Sequence, residues 1–340
     1  MTFNITCSTD ENYVQHCMAM LCSLFENNKS HHIRIHLLHH ELPRDSQIII
    51  KELCEKYNND INFYNIELSH FSNISIKKPD LSIATFFRIV LPDLLDNSIE
   101  RILHLDCDVI VLKDISSLFG LDISEFGVAA VRDFSPYNDN HRQIMGLQLD
   151  DRAFCAGVLM INLNFWRKHN SQNNMLEFAH KHPNDLYMED QDILNHEFRR
   201  KWFQLPYKYG YAPMTIASLD NNQKWADVVE YAFNPAIIHY ATHVKPWLDI
   251  RIPDDKYYWK YVELSGYPNP RKTKVSDINR KRIQKTKLRY YINYFIRPFI
   301  PNLLEIIIMD LFDFIKMVAL IFSPRKFKYY HLQRWLAKYK

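Results

Sequence analysis

The first 66 residues alternate between short apolar runs and longer amphipathic ones, and this alternation restricts the fold more than any other feature of the chain. FNITC at 3–7, IRIHLL at 33–38 and INFYNI at 61–66 have the length and composition of strands. Between them, VQHCMAMLCSLF at 14–25 and PRDSQIIIKELCEKY at 43–57 space their apolar residues helically, the second with proline near its start. Strands alternating with helices need crossover connections, which predicts an α/β fold with a mainly parallel sheet. Ligands of such sheets gather beyond the carboxyl ends of the strands. The polar turn STDEN at 8–12 falls at one of those ends. Further on, EFGVAAV at 125–131, GVLMINL at 157–163 and AIIHY at 236–240 read as strands. LNFWRKHNSQNNMLEFAHKH at 163–182 and EDQDILNHEF at 189–198 read as helices, and there is no internal repeat.

Within this pattern, RILHLDCDVIVL at 101–112 reads as a buried strand, yet two aspartates one residue apart stand in it. Burying two like charges is costly unless something positive joins them. On an alternating strand Asp106 and Asp108 share a side while Cys107 faces away, the spacing that a hard cation takes from two oxygen ligands. A solvated turn or a helix cap would use the same residues.

Composition narrows the chemistry. With only six glycines and neither GxGxxG nor GxxxxGK[ST], the chain holds no glycine-rich phosphate loop. Its six cysteines, at 7, 17, 22, 54, 107 and 155, form no CxxC pair and point to a reducing compartment. MTFNITCSTDENYV lacks the basic start and apolar core of a secretory signal, so a cytoplasmic location is expected.

Charge divides the chain unevenly. Residues 271–340 carry 17 Lys and Arg against 4 Asp and Glu, a net +13, whereas residues 1–270 carry 25 basic and 35 acidic residues, a net −10. The expected organisation is an acidic body, 1–270, and a basic helical tail, 271–340, drawn to an anionic surface. Within the tail, the apolar stretch from 299 to 322 is interrupted by Glu305, Asp310, Asp313 and Lys316. That pattern predicts an interfacial amphipathic helix on the inner face of the cell membrane, not a spanning one.

Six motifs taken in order resemble the bacterial family 8 glycosyltransferases that add glucose or galactose to lipooligosaccharide: STDENY, TFFRIVLPDLL, ILHLDCDVIVLKDISSLF, FCAGVLMINLNFWR, EDQDILN and IHYATHVKPW, over about residues 3 to 250. The resemblance implies a single Rossmann-like nucleotide-diphospho-sugar transferase domain of GT-A type with a mainly parallel mixed sheet. It also implies a UDP-sugar donor, a saccharide acceptor, a manganese ion and retention of anomeric configuration. By the same resemblance Asp106, Asp108 and His239 are metal ligands, with Mn2+ favoured by imidazole plus carboxylates and Mg2+ able to substitute. Ser8, Asp10 and Asn12 fall where the family holds uracil and ribose, and Lys245 where it pairs with diphosphate. Arg88, Asp133, Asp190 and Gln191 fall where it binds hexose hydroxyls, Asp190 and Gln191 as the catalytic positions with Gln191 beneath the anomeric carbon.

Simpler readings accompany several of these residues. STDEN caps a helix well whether or not it binds a nucleoside, and EDQD opens a helix well whether or not it binds a sugar. Arg88, in an apolar stretch, needs an anionic partner in any case. One position departs from the family: Cys155 stands where asparagine usually precedes AGV, and a thiol cannot replace an amide's two donors and strong acceptor. That leaves the choice among glucose, galactose and a less common sugar open. A non-catalytic nucleotide-sugar-binding module is the alternative function, and no nucleic-acid motif accompanies the basic tail.

Overall fold

The structure, a computed structural model, describes residues 2–72, 74, 82–134, 137–148, 150–214 and 234–291. Its frame is a seven-stranded sheet formed by β1 (Thr2–Ser8), β2 (His32–His39), β3 (Asp60–Asn65), β4 (Arg101–Leu105), β6 (Val128–Arg132), β7 (Phe154–Asn162) and β8 (Trp202–Leu205). The order is β3-β2-β1-β4-β7-β6-β8, with β7 antiparallel to β4 and β6 and every other pairing parallel. A separate ribbon pairs β5 (Val109–Val111) with β9 (Ile237–His239) antiparallel. The expected mainly parallel mixed sheet is the one observed.

Both faces of the sheet are covered, which explains its continuous apolar runs. Ile35, Leu37, Leu103, Leu105, Val158 and Met160 point into one core cluster, shared with α1 (Val14–Asn27), α2 (Arg44–Lys56) and the 3-residue strands β5 and β9. Their alternates Leu38, Ile102, Leu159 and Ile161 point into a second. There they meet the turn of helix α3 (Leu91–Leu94), α6 (Leu163–Lys168), α7 (Ser171–Lys181) and α8 (Asp190–Glu197). Two short helices complete the middle of the chain, α4 (Ser116–Phe119) and α5 (Asp139–Ile144).

Two predicted elements come out divided. The run 101–112 is not one strand: it breaks at Asp106–Cys107–Asp108 into β4 and β5, which join different sheets, and the turn is closed by Val109 N–H donating to Asp106 O at 3.2 Å. The helix expected over 163–182 is two, because Asn170 adopts a left-handed φ of 53° between α6 and α7. Asparagine tolerates that conformation better than most residues.

The chain remains attached to the body beyond residue 270. Arg271 N–H donates to Gln15 Oε1 at 2.7 Å, Thr273 exchanges backbone hydrogen bonds with Trp247 and Asp249, and Arg280 pairs with Asp249 at 2.9 Å. These contacts carry the chain from α9 (Asp255–Ser265) into α10 (Asp277–Tyr291), where Ile283 is buried in the core. Among the described residues no helix is long and apolar enough to cross a membrane. The apolar stretch 299–322 lies outside the described residues.

Candidate functional site

The antiparallel strand β7 builds the site by reversing direction. Because it runs against β4, its first residues lie beside β4's last, and Asp106 N–H donates to Gly157 O at 2.9 Å. On its other side Asp133 N–H donates to Ala153 O at 2.9 Å. One rim therefore collects Ser8 from β1, the turn 106–108, Cys155 to Gly157 from β7 and Asp133 after β6.

The β5–β9 ribbon delivers His239 to this rim. Val109 is opposite His239 in the ribbon, and Tyr240 N–H donates to Asp108 O at 3.0 Å. Nε2 of His239 lies 3.2 Å from Asp108 Oδ1 and 4.0 Å from Asp106 Oδ2. One ligand atom from each of Asp106, Asp108 and His239 can be chosen so that all lie within 4.8 Å of one another. This three-residue set is the one that the resemblance implied, although the two aspartates converge through a turn and not through strand alternation. Asp108 Oδ1 is buried and out of hydrogen-bond alignment with the imidazole it faces, an arrangement that a cation between them would satisfy. Two hard oxygens and one imidazole fit a divalent first-row metal.

Charge around this turn is dense. Arg88, 2% exposed, donates from Nη2 to Asp106 Oδ1 at 2.6 Å and from Nη1 to Ala156 O at 2.6 Å. Its Nε lies 3.1 Å from Asp190 Oδ2. These carboxylates are the anionic partners that the apolar setting of Arg88 required. His104 Nε2 also donates to Asp106 Oδ1 at 3.0 Å. Lys245 Nζ donates to Asp108 Oδ2 at 2.5 Å and to Tyr240 O at 2.9 Å. Burial would raise the Asp106 carboxyl, but Arg88 overrides it and holds the group well below the usual carboxylate range. Burial would likewise raise Asp108, and Lys245 and His239 hold it down. Asp190 has weaker compensation: burial lifts it to about 6 against the pull of Arg88.

Two cavities open on the rim. The first, about 100 Å³, is lined by Ser8, Asp10, Arg88, Asp106, Asp108 and Lys245, together with Tyr13 and Thr85. In it Asp10 also caps the following turn, Oδ1 accepting from Asn12 N–H at 2.9 Å and Tyr13 N–H at 3.2 Å, so the capping and site readings coexist. Asn12 itself is exposed and lies outside the residues lining either cavity. Ser8 Oγ is buried without a hydrogen-bond partner among the described residues.

The second cavity, about 90 Å³, is lined by Asp133, Cys155 and Gln191, with Met188, Tyr207 and Thr242 among the rest. Here Gln191 Nε2 donates to Asp133 Oδ2 at 2.8 Å and Tyr137 Oη at 2.9 Å, while Tyr137 donates to Asp133 Oδ2 at 2.6 Å. Gln191 Oε1 accepts from Ala156 N–H at 3.0 Å, and Asn195 one turn later exchanges two hydrogen bonds with the Phe154 backbone. These contacts fasten the start of α8 to the start of β7. The preceding residue, Glu189, sits at φ 52° and ψ −125°, a sparsely populated conformation costing about 1–3 kcal/mol that turns Asp190 and Gln191 inward. Asp190 lines neither cavity. It lies behind the first, accepting from Thr85 Oγ1 at 2.5 Å.

Sequence reasoning passed over Tyr137, Asn195 and Gly157. Gly157 had a legible signal, a glycine inside a strand, which often marks a close approach: a Cβ there would collide with the His239 ring. Tyr137 and Asn195 had none, since what each ties down, Gln191 and Phe154 respectively, is distant in sequence.

Comparison with known proteins identifies the family. The model of Glycosyl transferase family 8 matches residues 4–251. General stress protein A of Bacillus subtilis is 28% identical over 280 residues, covering 78% of this chain and 96% of that protein. Glycosyltransferase GlyA of Streptococcus pneumoniae is 30% identical over 259 residues, covering 76% of this chain but only 34% of its own length. Among solved structures, the galactosyltransferase LgtC in complex with donor and acceptor sugar analogues has a TM-score of 0.68 at 23% identity, covering 83% of this chain and 100% of that one. A GT-A fold with two carboxylates and an imidazole on its rim, matched by the family model over most of its length, makes this chain a glycosyltransferase belonging to family 8.

Proposed function

We propose that the chain is a retaining hexosyltransferase moving glucose or galactose from a UDP donor to a saccharide acceptor of lipooligosaccharide or another cell-surface glycan, with manganese held by Asp106, Asp108 and His239. The observation that carries this reading is the convergence of those three side chains between a charged cavity and a hydrogen-bonding one. Bound there, Mn2+ supplies Lewis-acid stabilisation of charge on the departing diphosphate, and Mg2+ could take its place. Ser8 and Asp10 receive the nucleoside, and Lys245, now paired with Asp108, turns to the diphosphate. Asp133 and Gln191 orient the hexose by hydrogen bonds, and Arg88, paired with Asp190, meets it from the first cavity. The bond from the anomeric carbon to the diphosphate breaks, the acceptor oxygen bonds the same face, and its proton passes to the diphosphate. Turnover of a UDP-hexose should vanish with a chelator and return with Mn2+, giving an α-linked product from an α-linked donor. A β-linked product, or undiminished turnover with metal removed, overturns the reading.

The basic tail gives this enzyme its place. Each Lys or Arg near an anionic leaflet contributes about 1 kcal/mol, so a few of the 17 basic residues of 271–340 hold the body at the inner membrane face, beside lipid-borne acceptors. Since residues 271–283 pack on the body, the informative truncation ends at residue 291. It removes eight of the 17 basic residues and the whole apolar stretch, so it should leave donor hydrolysis intact and weaken binding to anionic vesicles. Undiminished vesicle binding refutes the role of residues 292–340.

A further inference from the structure

We propose that Cys155 is a positioning residue for His239, holding the imidazole so that Nε2 faces the two carboxylates. The inference rests on the metal reading above and goes beyond it, because it gives a role to the residue that departs from the family pattern. Three contacts fix the ring. Its face lies against Gly157, where no side chain fits. Nε2 lies 3.2 Å from Asp108 Oδ1. Nδ1 lies 3.4 Å from Cys155 Sγ, within hydrogen-bonding range for sulfur. A metal-ligating histidine needs a partner on its second nitrogen to fix tautomer and orientation, and loss of that partner typically weakens metal binding about 10- to 100-fold. When Nε2 is a ligand, Nδ1 carries the proton, and Sγ is the acceptor placed to receive it. Cys155 also lines the cavity that holds Asp133 and Gln191, and of the six cysteines it alone is not buried. One thiol therefore touches both the metal ligand and the second cavity.

The test is Mn2+ affinity, measured by calorimetry on the full chain. Cys155→Ala should bind Mn2+ about tenfold more weakly while the metal-free protein melts at an unchanged temperature. Cys155→Ser, which keeps an acceptor near Nδ1, should return to within about threefold of wild type. Wild-type affinity in Cys155→Ala overturns the proposal. Equal weakening in both variants also overturns it, since sulfur's bulk and not its hydrogen bond would then hold the ring. No Mn2+ binding by the wild-type chain removes the metal reading itself, a distinct result. If Cys155→Ala fails to fold, methyl methanethiosulfonate applied to folded wild type converts Cys155 to a methyl disulfide, releasing methanesulfinate. Undiminished Mn2+ affinity after complete modification of Cys155 then refutes the proposal, and a tenfold loss supports it.

Discussion

The two cavities flanking the Gly157–His239 contact are built from opposite materials. In the first, Arg88, Lys245, Asp106 and Asp108 meet as ion pairs at 2.5–2.6 Å, and two of the four are buried or nearly so. In the second, Asp133, Tyr137 and Gln191 close a triangle in which a glutamine and a phenol donate to one carboxylate. Ion pairs recognise charge with little regard to direction, whereas an amide with fixed donors recognises the pattern of hydroxyls. The first cavity matches the diphosphate and cation proposed for it and the second the proposed sugar, so each should fail differently when altered.

The largest separation should come from Asp108→Asn. Losing one of three ligands should lower kcat/KM by about 10³-fold, the several kcal/mol that metal stabilisation of a leaving group supplies. Kinetics across an Mn2+ titration check this, and a variant with wild-type rates at every concentration would remove the distinction between the cavities. Next, Arg88→Met leaves Asp106 and Asp190 facing each other without their shared cation. Breaking such a buried pair costs about 3–5 kcal/mol, to be read from urea unfolding of metal-free protein. Adding Asp190→Asn should recover part of it. In the second cavity, Gln191→Ala should lower turnover only about tenfold, the weight of one or two hydrogen bonds, and leave UDP and Mn2+ affinities unchanged. A parallel loss of UDP affinity would show that the cavities are not separate.

Much of this fold was legible because its physics is local. β1, α1, β2, α2 and β3 follow apolar spacing, and all five elements fall where that spacing puts them. The breaks did not, since RILHLDCDVIVL is apolar on both sides of its aspartates and only the separate ribbon with β9 shows why the chain leaves the sheet. The closeness of Asp106, Asp108 and His239 was expected through resemblance, and the anionic partners of Arg88 through the cost of burying a lone cation. The linkage of Gln191 to Ala156 and Tyr137 was not, because hydrogen bonds between segments 35 and 54 residues apart leave no periodic trace.

The least localised expected effect concerns pH and lies mostly away from both cavities. Burial depresses His16 to about 3 and His36 and His196 to about 4, so all three fold in neutral form. Their contribution to stability is complete above pH 6.5 and is lost as pH falls toward 4, at up to about 1.4 kcal/mol per pH unit for each group. Asp190, lifted to about 6, acts with opposite sign: its neutral form favours the folded state, so its share grows as pH falls from 6 to 4. His39 and His104 are lowered as well, so the depressed histidines outnumber the one raised carboxyl and predict net acid destabilisation, steeper in Asp190→Asn. Unfolding free energies from urea titrations between pH 7 and 4.5 check both slopes, and an unchanged slope in the variant would mean that Asp190 titrates normally.

Cys155, Ala156 and Gly157 are consecutive on β7, yet each serves a different neighbour. Sγ of the first meets His239, the backbone of the second meets both Arg88 and Gln191, and the third makes room for the imidazole. Such a tripeptide cannot drift one position at a time. A change that widens the second cavity by moving this strand also shifts the His239 imidazole and the anchor of Arg88. New donor preferences in a lineage with this architecture should thus arise through compensated pairs of substitutions, or at residues such as Met188 and Thr242 that line the second cavity from other segments.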